Sequence, residues 1–179
     1  MCDKPATMRP LAAIAFMSSS APSDLPVSAF PTVVSVVRIA DGTSRTWHIR
    51  PEEDWLLLRR WNEMRERGHG EDLPELLASG LPADIVALNL LEIADAVDLV
   101  AEEESSAAEW LALLARAADV PAVPVHSALL LLQRIAGTGG TVTAAVRAAE
   151  TIRGDGALAD ARRLAETFRI LSRVSGHTF

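Results

Sequence analysis

Acidic side chains are this chain's main source of chemistry, and the best placed of them is Asp160. The segment from Gly154 to Ser175 reads as a loop feeding a helix: Asp155 is set to cap its start, Gly156 loosens the turn, and Leu158, Ala161, Leu164, Ala165, Phe168 and Leu171 recur at helical spacing. Arg162, Glu166, Arg169 and Arg173 fill the opposite face. At about 100° per residue, Asp160 falls on the border between the buried stripe and solvent, where a carboxylate can look into a cleft. Asp24, Glu102, Glu103 and Glu104 fall in loops expected at the carboxyl ends of strands, where open α/β sheets place their sites. Together with Asp155 and Asp160 they could bind one hard cation. The plainer reading makes the glutamates solvated loop charges and Asp155 a helix cap.

Other groups offer less. Ser18, Ser19 and Ser20 lack the Gly-x-Ser-x-Gly setting of a nucleophile elbow and read as loop residues. Gly137 to Gly140 carries no phosphate-binding lysine and reads as a connector. His48, His69, His126 and His177 show no metal-ligand spacing. Trp47, Trp55, Trp61 and Trp110 fall mostly on apolar faces without interleaved basic residues, which favours core packing over base stacking.

The elements that must position these groups follow in order. Residues 1–10 read as a leader. Leu11 to Met17, an unbroken apolar run, is a central strand covered on both faces; behind Lys4 and Arg9 it also has the outline of a secretion signal, though short for one. Thr32 to Ala40 and Ser44 to Arg50 form a hairpin about a two-residue Asp41-Gly42 turn. Pro51 opens a helix with Glu52, Glu53 and Asp54 in its first turn and Trp55, Leu58, Trp61 and Met64 inward, ended by Gly68 and Gly70. Helices follow over Pro74 to Ala78 and Ala83 to Ala94, then a fourth strand over Ala96 to Ala101, where helix is the rival reading. After a polar break at Glu102 to Ser106 come a helix from Ala107 to Ala118 and an edge strand over Val120 to Val125, limited by Pro121 and Pro124. Ser127 caps a helix reaching Ala136, Thr141 to Ile152 forms another, and the terminal helix closes the chain. Strands early and helices late suit a mixed sheet flanked by helices.

Composition limits the partners. The 179 residues suit one domain. With 24 acidic and 17 basic residues the net charge is −7, so a nucleic-acid partner would need a local basic patch or bound metal. Cys2 is the only cysteine, which rules out an internal disulfide. No stretch of the sequence approaches the roughly 20 apolar residues of a membrane span, and a cytoplasmic protein without membrane contact is expected.

Gly156, Ala157, Leu158, Ala159, Asp160 and Ala161 resemble the last motif of the DnaQ-like, DEDD-type 3′-to-5′ exonucleases, in which a histidine precedes Arg-Ala-Leu-Ala-Asp-Ala; here Asp155 stands in the histidine's place. The likeness runs in order from residue 8 to residue 175. The family's opening Asp-x-Glu falls on Ser18 and Ser20 within Phe16 to Ala21. Phe30-Pro31, Ile49-Arg50-Pro51-Glu52 and His69-Gly70 are similar to the segments that follow, and the second-motif aspartate, one turn before a leucine, falls on Ala107 ahead of Leu111. The resemblance implies a ribonuclease H-like fold: a mixed five-stranded sheet flanked by helices, with residues 11–179 as a single exonuclease-like domain.

The resemblance also implies that the four metal-binding carboxylates have become Ser18, Ser20, Ala107 and Asp160, leaving Asp160 as a residual ligand and Asp155 in place of the general base. Two Mg²⁺ ions about 4 Å apart repel by roughly 4 kcal/mol in water and on the order of 16 kcal/mol at an effective dielectric near 20, which carboxylates must offset. Two hydroxyls, a methyl group and one acid cannot. The expectation is therefore a catalytically degenerate exonuclease-fold protein, a non-catalytic binding or scaffolding domain with no cofactor. It is expected to hold single-stranded nucleic acid weakly at most, and family habit allows a homodimer. The alternative is a 3′-to-5′ exonuclease on single-stranded nucleic acid whose weakened or displaced site takes Mg²⁺ or Mn²⁺. A third reading, an all-helical interaction domain, would require the early strands to be misread.

Overall fold

A computed structural model describes residues 9–19, 29–58, 72–136 and 139–176. The apolar run at the start forms β1 (Leu11–Ser18), the long strand inside a mixed six-stranded sheet of order β4-β3-β2-β1-β5-β6. β2 (Pro31–Arg38) and β3 (Ser44–Arg50) continue antiparallel from it. β5 (Asp98–Ala101) and β6 (Val125–Ser127) add on the other side in parallel. β4 is only Leu81–Pro82, lying parallel to Ile49 and Arg50, and this two-residue strand is what raises the count from the expected five to six. These strands rule out the all-helical reading.

Pleating sorts the side chains of β1 between two cores. Ala12 and Ile14 join one buried cluster, with Phe16 packed against it, while Leu11 and Ala13 join the other. The first cluster lies beneath α1 (Glu53–Leu58), α3 (Ala83–Ala96) and α4 (Glu104–Ala118). A short helix, α2 (Leu73–Ser79), leads into β4 and is tied down where the Arg50 guanidinium donates twice to the Gly80 carbonyl, at 3.1 and 3.2 Å. The second cluster lies beneath α5 (Ala128–Ala136), α6 (Gly139–Ala149) and α7 (Ala157–Ser175). Trp47, Trp55 and Trp110 are buried in the first cluster, as core packing required, and Phe30 meets Trp55 ring to ring at 6.1 Å.

Several expected boundaries move, each for a local reason. The β2–β3 hairpin closes on Arg38 and Thr43, so its loop has the four residues 39–42 rather than two. Ile39 is buried and donates its N–H to the Leu11 carbonyl, pulling the first loop residue out of the turn. The break expected at Glu102 to Ser106 is shorter, because α4 already starts at Glu104; an acid in the first turn suits the helix dipole, and serines are tolerated there. The edge strand falls at Val125–Ser127, just past the prolines at 121 and 124, whose missing N–H groups oppose pairing. Helix α6 starts at Gly139, inside the expected glycine connector, and stops at Ala149 rather than Ile152. Ser127 does cap α5, its hydroxyl accepting from the Leu130 N–H at 3.5 Å. Trp61, Met64, Gly68, His69, Gly70 and His177 lie outside the described residues.

Candidate functional site

Three elements meet at the carboxyl end of β1. Its pairing with β2 slips between Met17 and Ser18, so that Met17 faces Val33 and Ser18 faces Pro31, and this bulge turns the strand end where an open sheet places its chemistry. Ser19 closes the end. Its N–H donates to the Phe30 carbonyl at 2.8 Å, and its hydroxyl accepts the Phe30 N–H at 3.1 Å. The middle serine of the trio is thus buried and structural. Ser18 is half-buried at the strand's last position, while Ser20 and Asp24 lie outside the described residues.

The first turn of α7 arrives from the second layer. Its N-cap is Gly156, at φ 92°, and not Asp155; no side chain caps the helix, and Asp155 is exposed in the loop before it. A Cβ at Gly156 would sit 3.1 Å from Met17 Sδ, so the absent side chain is what lets the helix start approach the strand end. Asp160 follows one turn in, its N–H bonded to the Gly156 carbonyl at 3.1 Å.

The Asp160 carboxylate is taken by a neighbour on its own helix, the Arg163 guanidinium three residues on. The same guanidinium donates to the Gly154 carbonyl at 2.9 Å and the Ile152 carbonyl at 3.3 Å. One cation therefore joins the acid to the loop in front of the helix. The sequence placed Asp160 on the border of the buried stripe, and its side chain is indeed 48% exposed. Helical spacing alone already puts Arg163 within reach of Asp160 at i+3, a signal that sequence reasoning passed over.

α4 contributes Ala107 from the other layer. It is buried in the first core cluster, against which Phe16 of β1 packs, and its N–H bonds to the Glu103 carbonyl at 3.0 Å. A methyl group there fills space and offers no ligand. Glu102 and Glu103 stand exposed at the β5–α4 junction, with Glu104 exposed as the first residue of α4.

The two-metal chemistry implied by the family likeness needs several carboxylates gathered in one cleft. Among the described residues, no three His, Cys, Asp or Glu side chains come together in a group that could hold a metal ion. The Asp160 carboxylate already bonds a guanidinium.

Solved structures share this architecture. Exonuclease I from Methylocaldum szegediense matches with a TM-score of 0.65 at 13% identity, over 91% of this chain and 40% of that one. The nuclease domain of 3′hExo, a DEDDh family member bound to rAMP, matches at 0.68 and 10% identity over 97% of this chain and 96% of that domain. The zinc-bound complex of E. coli exonuclease I with single-stranded DNA matches at 0.70 and 9% identity over 96% and 42%. The chain thus spans about two-fifths of the exonuclease I chains it matches and nearly all of the 3′hExo nuclease domain. No protein-family model matches the sequence, and no curated protein does either. At these identities the likeness defines the fold, which is that of the DnaQ-like exonucleases within the ribonuclease H-like class. Among the described residues, no helix is long and apolar enough to cross a membrane.

Proposed function

We propose that this chain is a non-catalytic binding or scaffolding domain built on an exonuclease fold. The observation that carries this reading is the engagement of the Asp160 carboxylate by Arg163; Ser18 and the buried Ala107, at the other family positions among the described residues, supply no carboxylate. A guanidinium supplies a single fixed positive charge and five donors, but no open coordination position at which water could be activated. Ser20 and Asp155 complete the set of altered positions, the first an expected ligand and the second in the place of the general base. Asp160 acts in this reading as a structural acid rather than a residual metal ligand.

Single-stranded nucleic acid stays a candidate partner because exonuclease I of E. coli is seen in complex with it. With a net charge of −7, such binding would be weak and strongly salt-dependent. A cytoplasmic setting and a homodimer belong to the same proposal.

The test is a purified sample given labelled single-stranded DNA and RNA with Mg²⁺ or Mn²⁺. The expected result is no 3′ shortening, and no heat in a calorimetric titration with either metal. Shortening that disappears in Asp160→Ala would instead establish the alternative, a 3′-to-5′ exonuclease with a weakened or displaced metal site.

A further inference from the structure

The outer face of α3 is apolar at one end and acidic at the other. Leu81, just before the helix, and Ile85 and Leu88 within it are 40%, 41% and 47% exposed, a high share for large aliphatic side chains grouped on one surface. Glu92 and Asp95 continue the same line, also exposed. Within the helix, positions 85, 88, 92 and 95 alternate three and four, which keeps those four on one stripe, and Leu81 precedes its start from β4. The inward stripe of α3 is separate and consists of Ala83, Val86, Ala87 and Leu90. The sequence from residue 72 to residue 115 holds ten acidic residues and no Lys, Arg or His, while Arg9 reaches the far end of the helix through the Ala94 carbonyl and Asp98.

We infer that this outer stripe of α3 docks a cationic amphipathic helix of another protein, with apolar anchors on Leu81, Ile85 and Leu88 and cations against Glu92 and Asp95. The inference goes beyond the reading of the exonuclease-fold site and holds whether or not that site is silent. Charge complementarity selects the occupant. A second copy set antiparallel across the same stripe would press Glu92 and Asp95 onto the partner's leucines, burying carboxylates with no cation to pair them. Set parallel, it would lay acid on acid. A helix with aliphatic residues at i, i+4 and i+7 and lysines or arginines one turn further meets both halves of the stripe, the groove-binding mode that reads such anchors.

The probe is a synthetic amphipathic peptide of leucine and lysine at heptad spacing, about 18 residues so that a helix can form on binding. Its fluorescence anisotropy is titrated with the full chain, alongside a scrambled peptide of equal composition and charge. The expected result is saturable binding that weakens about tenfold in the double variant Ile85→Ser, Leu88→Ser and by a similar factor in Glu92→Gln, Asp95→Gln, with the scrambled peptide bound less well. Both variants alter exposed side chains, and an unchanged unfolding transition confirms that each still folds. Equal binding by wild type and the serine variant would overturn the inference, as would equal binding of the scrambled peptide. Sedimentation showing a dimer of the chain that the serine variant abolishes would overturn it in favour of a second copy.

Discussion

The two faces of the sheet are covered by helical layers that do the same mechanical work with opposite chemistry. On one side α3 and α4 bury Val86, Leu90, Trp110, Leu111 and Leu114, and residues 72 to 118 carry ten acids against one base, Arg116 in the last turn of α4. On the other, α5 to α7 bury Ala161, Ala165, Phe168 and Leu171, and residues 128 to 176 carry seven arginines against four acids. The arginines of the second layer reach back to backbone carbonyls. Arg163 holds Ile152 and Gly154, and Arg169 donates to Ile39 at 2.6 Å and Arg38 at 3.1 Å. The first layer is tied mainly by apolar burial, with Arg9 joining it from outside through the Ala94 carbonyl and Asp98. Apolar burial leaves the outer face free to be shaped for a partner; long side chains committed to loops do not.

The largest effect should come from removing an apolar anchor. Phe168 is fully buried where α7 meets β1 and β2, and Phe168→Ala should cost about 3 to 5 kcal/mol, read as a lower urea midpoint. Leu114→Ala in the first layer should cost about 2 to 5 kcal/mol. A much smaller cost for either would mean that one layer is dispensable and that the comparison fails. Next comes Gly156→Ala, which sets a side chain at a positive φ against Met17 and should cost about 1 to 3 kcal/mol. That change disturbs only the approach of the second layer to the strand end, so amide exchange should rise at α7's first turn and stay slow in α4.

Arg163 separates the two roles a cation can play. Arg163→Ala loses two carbonyl contacts together with the Asp160 pair and should cost about 1 to 2 kcal/mol, whereas Asp160→Asn breaks only the half-exposed ion pair, worth about 0.3 to 1 kcal/mol. Thermal unfolding of both single variants and the double would show whether the carbonyls or the carboxylate matter more. If Asp160→Asn proved the costlier, the acid would be the centre of the site and the loop incidental.

How much of this was legible follows from the range of each signal. The burial of β1, the hairpin strands and the inward stripe of α7 were readable because periodicity is a local pattern and burial its direct consequence. The failures share a cause: each depends on a contact with something distant in the chain. The hairpin loop lengthens because Ile39 finds Leu11, and the α7 cap falls on Gly156 because Met17 lies against it. β4 pairs with Ile49 and Arg50, some thirty residues back in the chain, where Arg50 also holds the Gly80 carbonyl. For the candidate site, motif order points to Asp160 and Ala107, but it carries no information on the fate of the carboxylate. Resemblance drew attention to what an acid at that place would bind and away from the arginine one turn along.

The smallest expected effect tests whether the second layer's grip on the hairpin depends on the turn itself. The Asp41 carboxyl is held below its ordinary value of 3.8, first by the Thr43 N–H that it accepts at 2.9 Å, then by the Thr43 hydroxyl and the nearby Arg38 guanidinium. A group whose pKa is lowered by folding adds stability that is fully present above its unfolded value and is lost as pH falls through the folded one. Acid should therefore loosen this turn first, and with it the Ile39 and Arg38 carbonyls that Arg169 holds. Asp41 is exposed at the surface, so the change belongs to the turn rather than to the global fold. Amide exchange at Gly42 and Thr43 should quicken relative to α3 and α4 as pH is lowered below 3.8, after correction for intrinsic rates. In Asp41→Asn the relative rate should be independent of pH. An unchanged acid response in that variant would place the sensitivity elsewhere, and would mean that the Arg169 contacts hold the hairpin regardless of how its turn is closed.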